Sequence, residues 1–364
     1  MAPPRSDAQE LHDKSDPYPV LLGSGLIGEI GRLALVSWPR SRIAVVTQRR
    51  VARLHGGRLF SSLSRARLDV VPLFMPEGEE RKNLKTVSAL YDRLVSSRFT
   101  RDDAILAFGG GAVGDTAGFV AATFLRGIAF AQVPTTLLAQ IDSAIGAKVG
   151  VNHPRGKNLI GTVYRPSAVW IDPGLLRTLP ERDFRSGLFE LLKYGFIGRP
   201  QLLRRMASKQ LRVGDRALVD SIAEAVRQKL AVVREDEHER GLRRILNFGH
   251  TIGHGLEAAS DYRKLTHGEA VGWGMIGAVG IGMRLGRLDP DLGRKLEGAV
   301  RNVGPLPPLR GLSKKRVLDA ISRDKKTGSR GLRFVLPVGL GRVEVVDSFP
   351  LGEIARSLET LGVG

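Results

Sequence analysis

Short apolar, β-branched runs alternate with stretches of helical period over the first 170 residues. "RIAVVT" (42–47), "LDVVPLF" (68–74) and "AILAFGGG" (104–111) are too continuously apolar for half-exposed strands and predict buried ones. Between the last two, Leu84, Val87, Leu90 and Leu94 recur at helical spacing. Strands separated by helices imply βαβ units, so the first half is expected to be an α/β, Rossmann-like domain with a parallel sheet. Past "AVWIDPGLLRTLP" (168–180) the pattern turns helical, as in "ALVDSIAEAVRQKLAVVRE" (217–235), where Val219, Ile222, Val226, Leu230 and Val233 share a face. Strand-like runs return only at "LRFVLPVGLGRVEVVD" (332–347), which predicts a hairpin. The expected organisation is a disordered, Pro-bearing extension over 1–20, an α/β domain over 21–173 and a mostly α-helical domain over 174–364.

Composition narrows the function. No apolar run approaches the length of about 18 residues that a membrane span needs. The first residues lack an apolar signal core, so a cytoplasmic protein is expected. Without cysteine, a metal site has to be built from His, Asp, Glu and water. The formal charge of +19 comes mostly from singly scattered arginines, with no basic-aromatic stripe. Such a balance is open to nucleic acid, an anionic surface or small anionic substrates, and the scattered arginines favour a plain solvated surface over a nucleic-acid interface.

Four stretches carry candidate chemistry. Gly109, Gly110 and Gly111 end a strand just before a helix, where backbone can approach a phosphate and the helix N-terminus offers N–H groups. The turn is not GxGxxG, so a pyrophosphate would be held in a variant way. The stretch 140–166 is a dense polar loop with Asp142, Lys148, Asn152, His153, Arg155, Lys157 and Asn158, suited to an acidic, hydroxylated small molecule. "RSGLFELLKYGFIG" sets Glu190 and Lys193 in an apolar helix, where a buried carboxylate needs a partner or a metal. In "LNFGHTIGHGLE", His250 and His254 lie one turn apart on one face, and His267 follows. Three of the chain's 7 histidines fall here, which favours a shared ion over the filling of a helix face.

Together, and in this order, "PEGEERKNLKT", "GGGAVGDTAGFVAATFLRG", "PTTLLAQIDSAIGAKVGVNHPRGKNLIG", "SGLFELLKYG", "DEHERGLRRILNFGHTIGHGLE" and "HGEAVGWGM" closely resemble the 3-dehydroquinate synthase family of sugar phosphate cyclases. The resemblance runs from about residue 20 to the C-terminus. It implies Glu190, His250 and His267 as ligands of zinc or cobalt, which makes His254 a substrate-side group instead of a ligand. For NAD it implies Glu79, Lys82, Gly109, Gly110, Gly111, Asp115, Thr135 and Thr136, with Asp142, Lys148 and Lys157 also contributing. Catalytic roles fall to Lys148, Lys193, Lys229, Arg243, Asn247 and His254, and substrate binding to Asp142, Lys157, Asn158 and a lysine of "RDKK", Lys325 or Lys326, with Lys325 preferred.

The implied reaction converts 3-deoxy-D-arabino-heptulosonate 7-phosphate to 3-dehydroquinate and phosphate. It proceeds by transient NAD reduction, phosphate elimination, return of the hydride, ring opening and an aldol closure. A homodimer is expected by resemblance. The alternatives are another cyclase of the superfamily or a metal-dependent polyol dehydrogenase of the same fold, and "NHPRGKNLIG" favours the dehydroquinate pattern. Ala144, Ala147, Val149 and Phe189 depart from the family's usual residues. Ala147 matters only if its backbone needs positive φ, and Phe189 predicts local repacking. Gln48 stands where relatives often carry Asn or Asp near the adenosine ribose.

Overall fold

The computed structural model describes residues 8–13, 15–208, 210–325 and 331–364. The chain divides into two units, Met1–Pro180 with Val213–Glu237, and Glu181–Arg212 with His238–Gly364.

In the first unit the chain runs through β1 (Gln9–Glu10), β2 (Val20–Leu22), α1 (Ile30–Ser37), β3 (Ile43–Thr47), α2 (Arg49–Val51), α3 (Gly57–Arg65), β4 (Val70–Phe74), α4 (Leu84–Ser96), β5 (Ala104–Gly109), α5 (Gly111–Thr123), β6 (Ala129–Pro134), β7 (Lys148–His153), β8 (Gly156–Val163) and β9 (Ala168–Ile171). Seven of these strands form one sheet in the order β1-β2-β9-β6-β5-β3-β4. It is parallel throughout except for β1, which pairs antiparallel with β2. Every residue of β3 and β5 is buried, because helices cover both faces of the sheet. Alternation sorts their side chains: Ile43 and Val45 pack with Leu33, Leu59 and Leu63 on one face, while Ala44 and Val46 pack with Val87, Leu90 and Val113 on the other. Asn83 starts α4 by accepting a hydrogen bond from Thr86 N at 3.1 Å.

Three expectations are corrected in this unit. The described part of the 1–20 extension is ordered: Gln9 and Glu10 pair with Leu22 and Leu21, and Leu11 and Tyr18 are buried. Residues 1–7 lie outside the described residues. The polar loop over 140–166 contains the antiparallel hairpin β7–β8, in which Val149 and Val151 are buried between polar neighbours. The first unit also extends beyond residue 173, to Pro180, and takes in 213–237, a segment the periodicity assigns to the helical domain. An amphipathic face reveals that a helix buries a stripe, not which element covers it.

The second unit begins with α6 (Glu181–Phe196) and α7 (Pro200–Ser208); the next helix, α8 (Arg216–Glu235), belongs to the first unit. It continues with α9 (His250–Ala259), α10 (His267–Arg284), α11 (Pro290–Asn302), α12 (Lys314–Lys325), the expected hairpin β10 (Phe334–Gly339) and β11 (Arg342–Val346), and α13 (Leu351–Thr360). Glycines let α10 sit close to its neighbours. A Cβ at Gly268 would strike the Ser186 carbonyl, and one at Gly274 the Gly249 carbonyl. That close approach sets His267, the first residue of α10, against α6 and the start of α9.

Candidate functional site

The sheet of the first unit reverses its winding beside β3. The chain passes from β3 to β4 on one side and then crosses to β5 on the other. Crevices for nucleotides form outside the carboxyl ends of strands at such a point. Gly109 ends β5, Gly110 caps α5 without a side chain, and Gly111 opens it. A Cβ at Gly110 would lie 3.0 Å from Thr136 Cγ2, and one at Gly111 2.9 Å from Ser143 Oγ. Thr135 N donates to the Gly109 carbonyl at 3.0 Å, and Thr136 Oγ1 accepts from Ala139 N at 3.2 Å. The turn is therefore bare of side chains and fixed from β6, as close approach of a dinucleotide phosphate requires.

A polar network flanks this turn. Lys82 is buried, and its Nζ donates to Asp115 Oδ2 at 2.5 Å and to Asn158 Oδ1 at 2.6 Å, with Glu79 Oε1 at 3.8 Å. Asn152 links the rest, donating to Glu79 Oε1 at 2.9 Å and accepting from Asn158 N at 2.9 Å. Four residues expected from sequence, Glu79, Lys82, Asp115 and Asn158, are thus one cluster. Burial works against charge on Lys82, but Asp115 and Glu79 outweigh it and raise the ammonium above its ordinary range. Burial also pushes the Asp115 carboxyl up, even with Lys82 beside it. Nearby, Lys229 of α8 donates to the Asp142 carbonyl at 2.6 Å and pairs with the Asp142 carboxylate. Lys148 opens β7 and is exposed, and Lys157 lies in β8.

In the second unit, the buried face of α6 carries Glu190 and Lys193, which are 0% and 1% exposed, so the pair is no surface ion pair. Lys193 Nζ is 2.6 Å from Glu190 Oε2. The other oxygen, Oε1, accepts no hydrogen bond, yet lies 3.4 Å from Nε2 of both His250 and His267. Both rings are turned by their other nitrogen. His250 Nδ1 donates to the Phe248 carbonyl at 3.1 Å, and His267 Nδ1 to Glu257 Oε2 at 3.1 Å. His254 is exposed, and its ligand atom lies within 4.8 Å of those of His250 and His267.

The electrostatics follow from this packing. Burial holds His250 well below the usual imidazole range. Burial opposes charge on His267 too, but the Glu257 and Glu190 carboxylates push it up to about 10. Burial penalises the Glu190 carboxylate, while Lys193 and the two imidazoles hold it well below the usual range. A buried carboxylate oxygen facing the Nε2 atoms of two imidazoles, each oriented through its Nδ1, is a donor set that suits a tetrahedral divalent ion once His267 gives up its Nε2 proton.

Arg243 is buried in the turn Leu242–Asn247, and Asn247 Nδ2 donates to Glu239 Oε1 at 2.5 Å. Lys325 ends α12, but its side chain and all of Lys326 lie outside the described residues. One partner went unrecognised in the sequence. Glu257 lies two helical turns after His250 on the same buried face, a spacing that could have flagged it. Asn152 was singled out in the polar stretch, and the structure makes it the link between Glu79 and Asn158.

The family descriptions "3-dehydroquinate synthase N-terminal" and "3-dehydroquinate synthase C-terminal" match residues 72–186 and 187–327. The 3-dehydroquinate synthase of Koribacter versatilis is 42% identical over 348 residues, covering 94% of this chain and 95% of that protein. That of Pelotomaculum thermopropionicum is 44% identical over 333 residues, covering 90% of each. Among solved structures, 2-epi-5-epi-valiolone synthase from Streptomyces hygroscopicus subsp. jinggangensis, with NAD+ and Zn2+ bound, superposes with a TM-score of 0.87 at 27% identity over 96% of this chain and 98% of that one. A 2-deoxy-scyllo-inosose synthase complexed with carbaglucose-6-phosphate, NAD+ and Co2+ gives 0.85 at 25% identity, over 94% and 96%.

Proposed function

The chain belongs to the 3-dehydroquinate synthase family, and on that premise we propose how its residues carry the conversion of 3-deoxy-D-arabino-heptulosonate 7-phosphate to 3-dehydroquinate and phosphate. The reaction is a step of the shikimate pathway to the aromatic amino acids, and its class is a carbocycle-forming phosphorus-oxygen lyase. Glu190, His250 and His267 would hold zinc or cobalt. The turn Gly109–Gly111, with Glu79, Lys82, Asp115, Thr135 and Thr136, would hold NAD, helped by Asp142, Lys148 and Lys157. When bound, NAD supplies a reversible hydride acceptor, and the divalent ion a Lewis acid for substrate oxygens.

The chain's own side chains do the rest. Lys193 neutralises the second oxygen of Glu190, so the carboxylate keeps its charge in a dry site. Lys148, Lys229, Arg243 and Lys325 bind the phosphate and carboxylate of the substrate as charge-assisted donors, and Lys157 and Asn158 orient its hydroxyls. Asp142, tethered by Lys229, accepts from a substrate hydroxyl. Asn247, held by Glu239, meets the phosphate or a hydroxyl of the substrate. His254, the exposed imidazole of the cluster, gives and takes the proton at the substrate face. The departing phosphate takes up the proton lost in its own elimination. A cytoplasmic homodimer completes the proposal.

The observation that carries this reading is the buried Glu190 oxygen facing two oriented Nε2 atoms at 3.4 Å. The test is phosphate release from the heptulosonate phosphate with NAD and zinc, with absorbance followed for NADH in the same cuvette. Stoichiometric phosphate without lasting NADH is expected. NADH accumulating on a simple polyol, without phosphate release, would move the protein to the dehydrogenases.

A further inference from the structure

Tyr18 lies in "DPYPV", between two prolines, in the segment that leads from β1 into β2. Pro17 and Pro19 leave its backbone little freedom, so holding it in place costs little entropy. Pro19 is itself tied to the sheet, its carbonyl accepting from Val169 N of β9 at 3.0 Å. From this anchor the buried Tyr18 phenol oxygen accepts a hydrogen bond from Gly146 N at 2.8 Å. Gly146 and Ala147 both have positive φ, +110° and +61°. They form the tight corner between Asp142 and Lys148, two residues assigned above to NAD and the substrate.

A second tie joins the same segment to the same corner. Arg234 of α8 donates to Asp13 Oδ2 at 3.0 Å, to Ser15 Oγ at 3.2 Å and to Asp16 Oδ1 at 3.2 Å. The same helix carries Lys229, which holds the Asp142 carbonyl and carboxylate. The N-terminal segment thus grips the corner directly through Tyr18, and it braces the helix that grips the corner's other end. Nothing in the nucleotide turn or the metal cluster needs this arrangement.

We propose that Tyr18 is a positioning residue: its phenol fixes the Gly146–Ala147 corner, and through it the placement of Asp142 and Lys148. The chain's N-terminal strap is then part of the substrate machinery rather than a tail. The proposal rests on the substrate assignments given above. Replacing the phenol oxygen with hydrogen leaves a buried N–H without that acceptor, which loosens a corner already held in a sparsely populated conformation.

The test is Tyr18→Phe in the full chain loaded with NAD and zinc, with amide hydrogen exchange over 142–148 measured beside the phosphate-release kinetics. Faster exchange confined to that corner is expected, with kcat/KM for the heptulosonate phosphate lowered about tenfold or more, the scale on which misplaced catalytic groups act. Unchanged kinetic constants in the folded variant would overturn the proposal, even if its melting temperature fell, because a merely structural phenol predicts that result. Should Tyr18→Phe not fold, Arg234→Met severs the second tie from the surface and is read by the same exchange: faster exchange at 142–148 supports the strap, and unchanged exchange overturns it. Absence of phosphate release from the unsubstituted protein would count against the activity itself and leave the exchange data to judge the strap.

Discussion

The carboxylate of Glu257 accepts the Nδ1 proton of His267 at 3.1 Å, and that contact decides which imidazole nitrogen faces Glu190. Both carboxylates are almost fully buried, so neither is free to find another partner. Glu257→Leu should leave the ring free to rotate and weaken zinc affinity by about 10–100-fold, the usual cost of losing such an orienting group. Glu257→Gln, which can still accept the proton but lacks the charge, should fall between. Competition for zinc against a chromophoric chelator measures both, and equal affinity in all three proteins would remove Glu257 from any such role.

How much of this was legible in the sequence depends on what each pattern encodes. The strands β3 and β5 were, because strands buried on both faces must be continuously apolar; β4, expected to be buried as well, is the edge strand of the sheet and leaves Pro72 and Phe74 exposed. The β7–β8 hairpin was not, since β7 offers only Val149 and Val151 as apolar alternate positions, between Lys148, Gly150 and Asn152, and β8 carries the consecutive polar residues Lys157 and Asn158 directly after Gly156. Tyr18 was hidden by the prolines and polar residues that make its segment look unstructured, although those prolines are what hold it. Residue types announced the histidine cluster, but only folding shows that Glu190, remote in sequence, comes within 3.4 Å of two imidazoles. Glu257 sat inside a quoted motif and was passed over because an acid in a helix is ordinarily a surface group.

Lys82 and Asp115 form a pair in which the carboxyl stays raised by burial despite its partner. A carboxyl whose folded pKa lies above its unfolded value costs the fold nothing below the unfolded value of about 3.9, and costs progressively more as pH rises toward the folded one. Lys82→Met raises that folded pKa further. The variant should be less stable than the parent by roughly 1–3 kcal/mol at neutral pH, the penalty for a buried polar group left without its partner. The deficit should shrink toward about pH 3, below the unfolded value, where Asp115 is mostly protonated in both states. Urea denaturation at the two pH values checks this, and a deficit that does not change with pH would show that lost packing is responsible.

Ala147 does occupy left-handed backbone, at φ +61°, directly after Gly146 at +110°. Its methyl group costs about 1–2 kcal/mol there, and glycine returns part of that gain through its freer unfolded state. Ala147→Gly should therefore stabilise the protein by about 0.5–1 kcal/mol, seen as a higher denaturation midpoint at unchanged slope. A lowered midpoint would mean that the side chain, 3% exposed, contributes more by packing than its backbone loses by strain.

Phe189, next to the proposed metal ligand Glu190, is accommodated by a glycine of α10. The ring is fully buried, and a Cβ built on Gly272 would lie 2.8 Å from Phe189 Cδ1 and 2.9 Å from Cε1. Helix propensity alone favours alanine over glycine by about 1 kcal/mol within a helix such as α10. Overpacking against a ring that has nowhere to go costs about 1–3 kcal/mol and should decide the sign. Gly272→Ala should therefore destabilise the parent protein, whereas in a Phe189→Ala background, where the ring is gone, the same substitution should be neutral or stabilising. The interaction term of the double-mutant cycle reports the coupling directly, and purely additive effects would mean that Phe189 and Gly272 do not share this space.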